Sequence, residues 1–388
     1  SQGAITGLSG LKYFAVGSSG GTNPQYAVNF GQRPFAYTPP TGFVALNTYN
    51  LPTSTIVKGN TVMDAQLYNG NGTTQTITTA SGFKPDLVWI KIRNYADNHT
   101  LWNTVVGAQK SLSSDTTNAE TTRLIALTAF TSTGFTLGAD TIVNYALGTY
   151  VGWEWNAGSG SSSSNTNGSI TSTVSVNPTA GFSVVTYTGT GSTATIGHGL
   201  GVAPKMIIVK RRDAGGSGWS VYFTTLPAGY VLSLQSTGGQ TNSSNRFTTT
   251  LPTSSVFSVG TDSDLNTSGG TYVAYCWSQI AGFSAFGSYT GNGSTDGTFV
   301  HLGFRPKFLL IKASSSADNW SINDSSRDTY NAWNARLYPD LSNAENAGGA
   351  GDFLSNGFKL RSSSQNSSGV TYIYMAFAET PFRYSNAR

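Results

Sequence analysis

The sequence predicts an all-β protein built as tandem β-sandwich domains of jelly-roll or lectin-like type, with few short helices. Three observations lead there. Charged residues make up only 10% of the chain while glycine numbers 46, a mixture that favours short strands and frequent turns. Aromatic residues reach 12%, enough apolar area to offset the entropy of ordering the chain. One set of phrases is also written three times, at a spacing of about 100 residues with turn signals every 8–12, which is the size and rhythm of a β-sandwich. A solenoid repeat would be shorter, roughly 20–50 residues.

Each copy opens on a Tyr-x-Gly-x-Gly phrase: "YNGNGT" at Tyr68, "YTGTGS" at Tyr187 and "YTGNGS" at Tyr289. Glycines at alternate positions imply a tight turn or bulge. Next come "GFKPDLVWIK" (Gly82 to Lys91), "GVAPKMIIVK" (Gly201 to Lys210) and "GFRPKFLLIK" (Gly303 to Lys312), which align without a gap. Proline fits the first residue of a strand, where no ladder N–H is needed, and the apolar quartet after it reads as a short buried strand. The lysine is expected to end that strand at the surface. Trp102, Trp219 and Trp320 follow, and their recurrence favours core packing over ligand stacking. A fourth phrase ("GFTLG" at Gly134, "VFSVG" at Val256, "GFKLR" at Gly357) and a closing strand ("TYVGWEW" from Thr149, "TYVAYCW" from Thr271, "TYIYMAF" from Thr371) complete each copy. The closing strings are rich in β-branched and aromatic residues, as expected of a strand packed on both sides. "TNAETTRLIAL" (Thr117 to Leu127) is the one stretch that could form a helical turn or two.

These anchors place repeat 1 at 62–157, repeat 2 at 181–283 and repeat 3 at 284–388. Between the first two, 158–180 begins in a Ser/Gly/Asn-rich tract and reads as a flexible linker, so repeat 1 is expected to move relative to the other two. Repeats 2 and 3 abut directly. Residues 1–50 stand apart and are too short to fold alone.

"NFGQRPFAYTPPTGFVALNTYNLP" (Asn29 to Pro52) resembles the closing end of a SPRY-type lectin-like domain. A chain starting inside such a domain is expected to be a piece of a longer product. The strings "YTGTGS", "GHGLGVAPKMIIVKRR", "GGTYVAYCW", "GFRPKFLLIK" and "TYIYMAFAE" resemble a poorly characterised repeated domain of tailed-phage virion proteins, tail-fibre or adhesin-like. That resemblance implies a structural or receptor-binding virion protein that attaches to the host surface without catalysis. Implied partners are other virion proteins, further copies of itself in a homo-oligomer (a trimer by the usual fibre symmetry), and a host glycan or outer-membrane receptor. A capsid decoration or head-fibre protein, or the carbohydrate-binding module of a secreted protein, are the alternatives.

The candidate chemistry points the same way. A net charge of +4 without a basic run argues against nucleic acid, and no apolar run approaches a membrane span of about 18 residues. Cys276, the single cysteine, reads as a small buried apolar residue. The four glutamates are Glu120, Glu154, Glu345 and Glu379. Glu120 and Glu345 hold matching repeat positions, the mark of a structural role. Glu154, between Trp153 and Trp155, either faces solvent by strand alternation or edges a sugar site with the two tryptophans. His99, His198 and His301 fall in different phrases, are not spaced as metal ligands, and are expected on the surface or in loops. Asp262 and Asp264 in "GTDSDLN" suit a solvated turn or an oxygen-rich calcium loop. No catalytic set, cofactor or metal is therefore expected. Function tends to sit where repeats diverge, and Trp333, with Tyr330 and Tyr338, in "DTYNAWNARLYPD" is the expected ligand-binding patch.

Overall fold

The computed structural model describes residues 33, 34, 38 and 55–380. The chain divides into two compact units, Ser1–Pro52 and Thr53–Arg388. Apart from residues 33, 34 and 38, the SPRY-like reading of 1–50 falls outside the described residues, and all three repeats fall in the second unit. Strand makes up 43% and helix 3%, so the all-β expectation holds.

Repeat 1 contains β1 (Met63–Asn69), β2 (Gln75–Thr78), β3 (Leu87–Ile92), β4 (Thr100–Asn103), β5 (Gly107–Leu112), β6 (Thr121–Thr122), β7 (Leu127–Thr131), β8 (Gly134–Leu137), the single-turn helix α1 (Thr141–Asn144) and β9 (Thr149–Trp155). Repeat 2 contains β10 (Ser163–Asn165), β11 (Ser172–Asn177), β12 (Phe182–Thr188), β13 (Ala194–Gly197), β14 (Met206–Arg211), β15 (Trp219–Phe223), β16 (Tyr230–Ser233), β17 (Thr241–Asn242), β18 (Val256–Val259), α2 (Ser263–Asn266) and β19 (Thr271–Trp277). Repeat 3 contains β20 (Ser284–Thr290), β21 (Phe299–His301), β22 (Pro306–Ala313), β23 (Ser321–Asp324), β24 (Trp333–Arg336), β25 (Asn346–Leu354), β26 (Gly357–Leu360) and β27 (Thr371–Ala378). The stretch 117–127 is not helical; the two helices instead follow the fourth phrase, where Asp140 and Asp262 cap them.

Each repeat is a two-sheet sandwich. Its inner sheet carries the same antiparallel order three times, β1-β9-β3-β4, β12-β19-β14-β15 and β20-β27-β22-β23, and an outer sheet covers it, β2-β8-β7, β13-β18 and β21-β26-β25-β24 in turn. The proline of each second phrase sits at or just before the strand entry, as its missing N–H demands. Both glycines of the opening phrase are required. A Cβ on Gly70, Gly189 or Gly291 would fall 1.9, 2.3 and 2.3 Å from a backbone oxygen, while Gly72, Gly191 and Gly293 have φ of 69°, 76° and 71°.

The structure adds two repeated devices that the sequence reading missed. Tyr68, Tyr187 and Tyr289 stack on Tyr150, Tyr272 and Tyr372 at 5.0, 5.0 and 5.2 Å. Asn144, Asn266 and Asn366 each clamp the glycine turn: Asn266 Nδ2 donates to Ser192 O and Gly260 O, and its Oδ1 accepts from the Thr190 amide. Asn144 and Asn366 make the corresponding bonds to Asn71 and Asn292.

The three sandwiches are not separate beads. The inner sheets turn their second faces toward one another and bury a common core, to which Trp89, Trp153, Trp155, Trp277, Phe308 and Phe377 belong. The matching residues Trp155, Trp277 and Phe377 meet there, with Trp155 6.0 Å from each of the other two rings. Such aromatic contacts contribute about 0.5–1.5 kcal/mol each beyond their area.

Loops then close the three repeats into a ring. The loop after β5 docks on repeat 2, the loop after β16 on repeat 3, and the loop after β24 on repeat 1. One backbone bond recurs at every junction: Glu120 N to Arg212 O, Gln240 N to Ser314 O, and Glu345 N to Arg93 O, at 2.8, 2.7 and 2.7 Å. Arg212 and Arg93 add bidentate pairs with Glu120 and Glu345. Repeat 3 has Ser314 where the others have arginine, which explains why repeat 2 can dispense with the glutamate and carry Gln240. Trp219 Nε1 donates across its junction to Ser113 O, and Trp320 Nε1 to Ser233 O.

Several expectations change here. The repeat lysines do not end at the surface: Lys91, Lys210 and Lys312 are fully buried. Lys210 donates to Thr117 O and Ser217 O, and Lys312 to Thr237 O and Asp318 O, so both span a junction. Burial lowers all three to about 8. Trp102 is out of register with the other two tryptophans. Trp219 pairs with Lys210 across the strands, and the residue opposite Lys91 is His99, because Ile90 pairs with Thr100. His99 is buried and accepts a bond from Trp89 Nε1, which removes it from the surface along with His198, also buried; His301 is exposed. Finally, 158–180 is not a free linker. Asp86 accepts the amides of Ala157, Ser159 and Gly160 at 2.6, 2.9 and 2.6 Å, and β10 and β11 pair within the segment.

Candidate functional site

The repeats differ most visibly in the loop that leaves the fourth strand of each inner sheet. It runs over 104–106 in repeat 1, 224–229 in repeat 2 and 325–332 in repeat 3, where it is longest. Its base is pinned from several sides. Asp324 Oδ1 accepts the amides of Ser326 and Arg327, Asp328 Oδ2 accepts that of Ala335, and Ser326 Oγ donates to Ala65 O in repeat 1. Arg327 and Asp324 are wholly buried and paired at 2.6 Å, and Asp324 also accepts Trp153 Nε1. At the tip, the Asn331 amide brackets the backbone of Phe353, accepting from its N and donating to its O.

On this fixed base Tyr330 stands 86% exposed. It lines a groove of 540 Å³ with Arg305, Asn331, Phe353 and Asn356 among its walls. Arg305 Nη1 donates to Glu379 Oε2 at 2.8 Å, and its guanidinium lies 5.9 Å from the centre of the Phe353 ring. A second groove of 580 Å³ follows the seam between repeats 3 and 1, with Asp64, Gln66, Ala80, Lys307, Ser326 and Glu379 in its walls. Lys307 donates to Ser326 Oγ at 2.6 Å and lies 3.9 Å from Asp64. A smaller recess of 260 Å³ lies over Arg93, Arg327 and Glu345, whose charges already satisfy one another: burial alone would raise Glu345, but Arg93 and Arg327 hold it below its ordinary value.

Of the three residues expected to bind ligand, Tyr330 lines a groove. Trp333 is fully buried, packed 4.5 Å from Phe353 and 6.3 Å from Phe358, so it cannot stack a ligand; it backs the phenyl ring that lines the groove. Tyr338 is half-buried in the loop docked on repeat 1, with its hydroxyl 3.4 Å from Asn346 Nδ2. Arg305 and Asn356 were not foreseen, though comparing copies marks both. Arg305 stands where the others have Lys84 and Ala203, and Asn356 where they have Thr133 and Ser255.

The acids are accounted for by packing and pairing. Glu154 is neither solvent-facing nor at a sugar site: it is fully buried inside repeat 1, with both carboxyl oxygens lacking a partner. Burial, helped by neighbouring Asp64, raises its pKa well above that of an ordinary glutamate. Its counterparts in the closing strand are Cys276 and Ala376. Cys276 is buried as expected and its thiol is pushed up by burial. Asp262 caps α2 and, with Asp264, pairs Arg246, so the calcium-loop alternative gives way to an ion-paired turn. Among the described residues no group of three or more His, Cys, Asp and Glu could hold a metal, and no helix is long and apolar enough to cross a membrane.

No curated protein matches the chain. One family model matches residues 58–381, spanning all three repeats and their junctions, and by that match the chain belongs to the DUF7483 family, a domain of unknown function.

Proposed function

We propose that the protein is a non-catalytic attachment component of a phage virion, a tail-fibre or receptor-binding element, and that it contacts a host-surface glycan through the Tyr330 groove. The observation that carries this reading is a tyrosine held 86% exposed by a loop whose base is pinned by buried ion pairs and side-chain bonds. An aromatic ring held beside amide and paired-charge groups suits the apolar face and hydroxyl edge of a sugar. Three of the four glutamates are taken up by junctions or core, Glu120 with Arg212, Glu345 with Arg93 and Glu154 by burial, and the fourth, Glu379, is paired with Arg305, which fits attachment without catalysis. Weak contacts of this kind add up when many copies are carried on one particle.

The test is binding of purified, labelled chain to a panel of bacterial cells and their isolated surface polysaccharides. Retention by at least one surface, lost in Tyr330→Ala, is the expected result; retention unchanged by that substitution would refute the site. Mass photometry on the same preparation tests the proposed homotrimer. A map of the intact particle distinguishes the tail position proposed here from the alternative of capsid decoration.

A further inference from the structure

The two grooves share Thr329 as a wall residue, and the Arg305–Glu379 ion pair joins them, with Arg305 in the first and Glu379 in the second. We infer that they form one continuous trough across the repeat 3–repeat 1 seam, and that its ligand is an uncharged oligosaccharide long enough to occupy both lobes. The inference rests on the attachment reading above and specifies its ligand.

The chemistry of the walls selects the charge. Both cations of the trough are already matched: Arg305 with Glu379 at 2.8 Å and Lys307 with Asp64 at 3.9 Å. A compensated set has no net field with which to recruit an anion. Paired donors and acceptors do suit vicinal hydroxyls, which can donate to a carboxylate while accepting from its cation. The remaining polar walls are neutral: Asn331, Ser355 and Asn356 in one lobe, Asn60, Gln66 and Thr380 in the other. Size selects the length. Each lobe alone falls within the roughly 300–1,000 Å³ of a small-molecule site, so the two together exceed what a single sugar fills. The exposed ring of Tyr330 anchors one end. The other end lies against β1 of repeat 1, reached only because ring closure brings repeat 1 beside repeat 3.

The experiment is calorimetric titration of the full chain with glucose, mannose and N-acetylglucosamine oligomers of increasing length, with galacturonate oligomers as the acidic comparison. Two variants separate the lobes. Tyr330→Ala removes the anchor, and Ala80→Trp plugs the second lobe from an exposed wall position whose amide bond to Asp64 is left in place. A thermal melt verifies that each variant is folded. The expected result is a neutral series whose affinity rises with length, a loss of tenfold or more at every length in Tyr330→Ala, and a comparable loss confined to the longer oligomers in Ala80→Trp. If Ala80→Trp leaves long oligomers unaffected, the single-groove reading stands and the trough is overturned. Tighter binding of the galacturonate series overturns the uncharged ligand. If no saccharide of any length binds, both this inference and the glycan reading it rests on are refuted.

Discussion

Replacing Glu154 by glutamine should remove a pH-dependent weakness from the centre of repeat 1. The carboxyl is fully buried, its two oxygens have no partner, and burial with the nearby Asp64 holds its pKa well above the ordinary value. In the unfolded chain it ionises near 4.3. The folded state therefore binds the proton more tightly, so its contribution to stability is fully present below about pH 4.3 and is lost as pH rises above it. The loss grows by about 1.4 kcal/mol for every pH unit over which the folded carboxyl stays protonated, and the range to survey is about pH 5 to pH 7. Glutamine keeps the shape and cannot ionise. Denaturant unfolding across that range should show wild-type stability falling relative to Glu154→Gln, with the gap widening as pH rises. Parallel profiles would mean that Glu154 is ionised in the fold and refute the assignment. Alanine is a poorer test despite standing at the same place in repeat 3, since it would add a cavity term.

Two further outcomes test a junction and a repeated turn. A double-mutant cycle on Glu120→Ala and Arg212→Ala should give a coupling of about 1–3 kcal/mol, above the range for exposed pairs, because both side chains are largely covered at the junction; a coupling near zero would show that the junction does not depend on the pair. Asn266→Ala should cost about 3 kcal/mol, from three lost bonds of about 1 kcal/mol each, measured by unfolding; a cost within 0.5 kcal/mol, as at an ordinary surface site, would remove Asn266 from its role as a clamp on the glycine turn.

Local grammar made the strands legible. Proline at a strand entry, an apolar quartet and a β-branched closing string each obey rules that operate within a few residues, and each strand formed where those rules place it. The junctions were hidden because their partners are distant in sequence and are often backbone oxygens. Lysine at the end of an apolar run reads as surface until the Thr117 and Thr237 carbonyls arrive from a neighbouring repeat. His99 was obscured by a similar effect, since counting forward from Lys91 reaches Trp102 as the first tryptophan, whereas strand pairing puts the histidine opposite the lysine. Glu154 shows where alternation fails. The closing strand is buried on both faces, so neither face is wet, and the same quality that marked it as a doubly packed strand already argued against a solvent-facing acid. At the groove, divergence between copies drew attention to the stretch from Asp328 to Asp340 but could not say which of its aromatics points out, because burial of Trp333 and exposure of Tyr330 depend on the tertiary cover each receives.

The proposed binding surface lies on a near-threefold ring, where its third repeat departs from the others. The most direct measurement is backbone and side-chain NMR of the labelled chain during titration with the tightest-binding neutral oligosaccharide. Shifts are expected at Tyr330, Asn331 and Asn356, extending to Gln66 and Ala80, and none at the corresponding loops 104–106 and 224–229. Equal shifts at all three loops, or shifts that leave Tyr330 untouched, would contradict that placement.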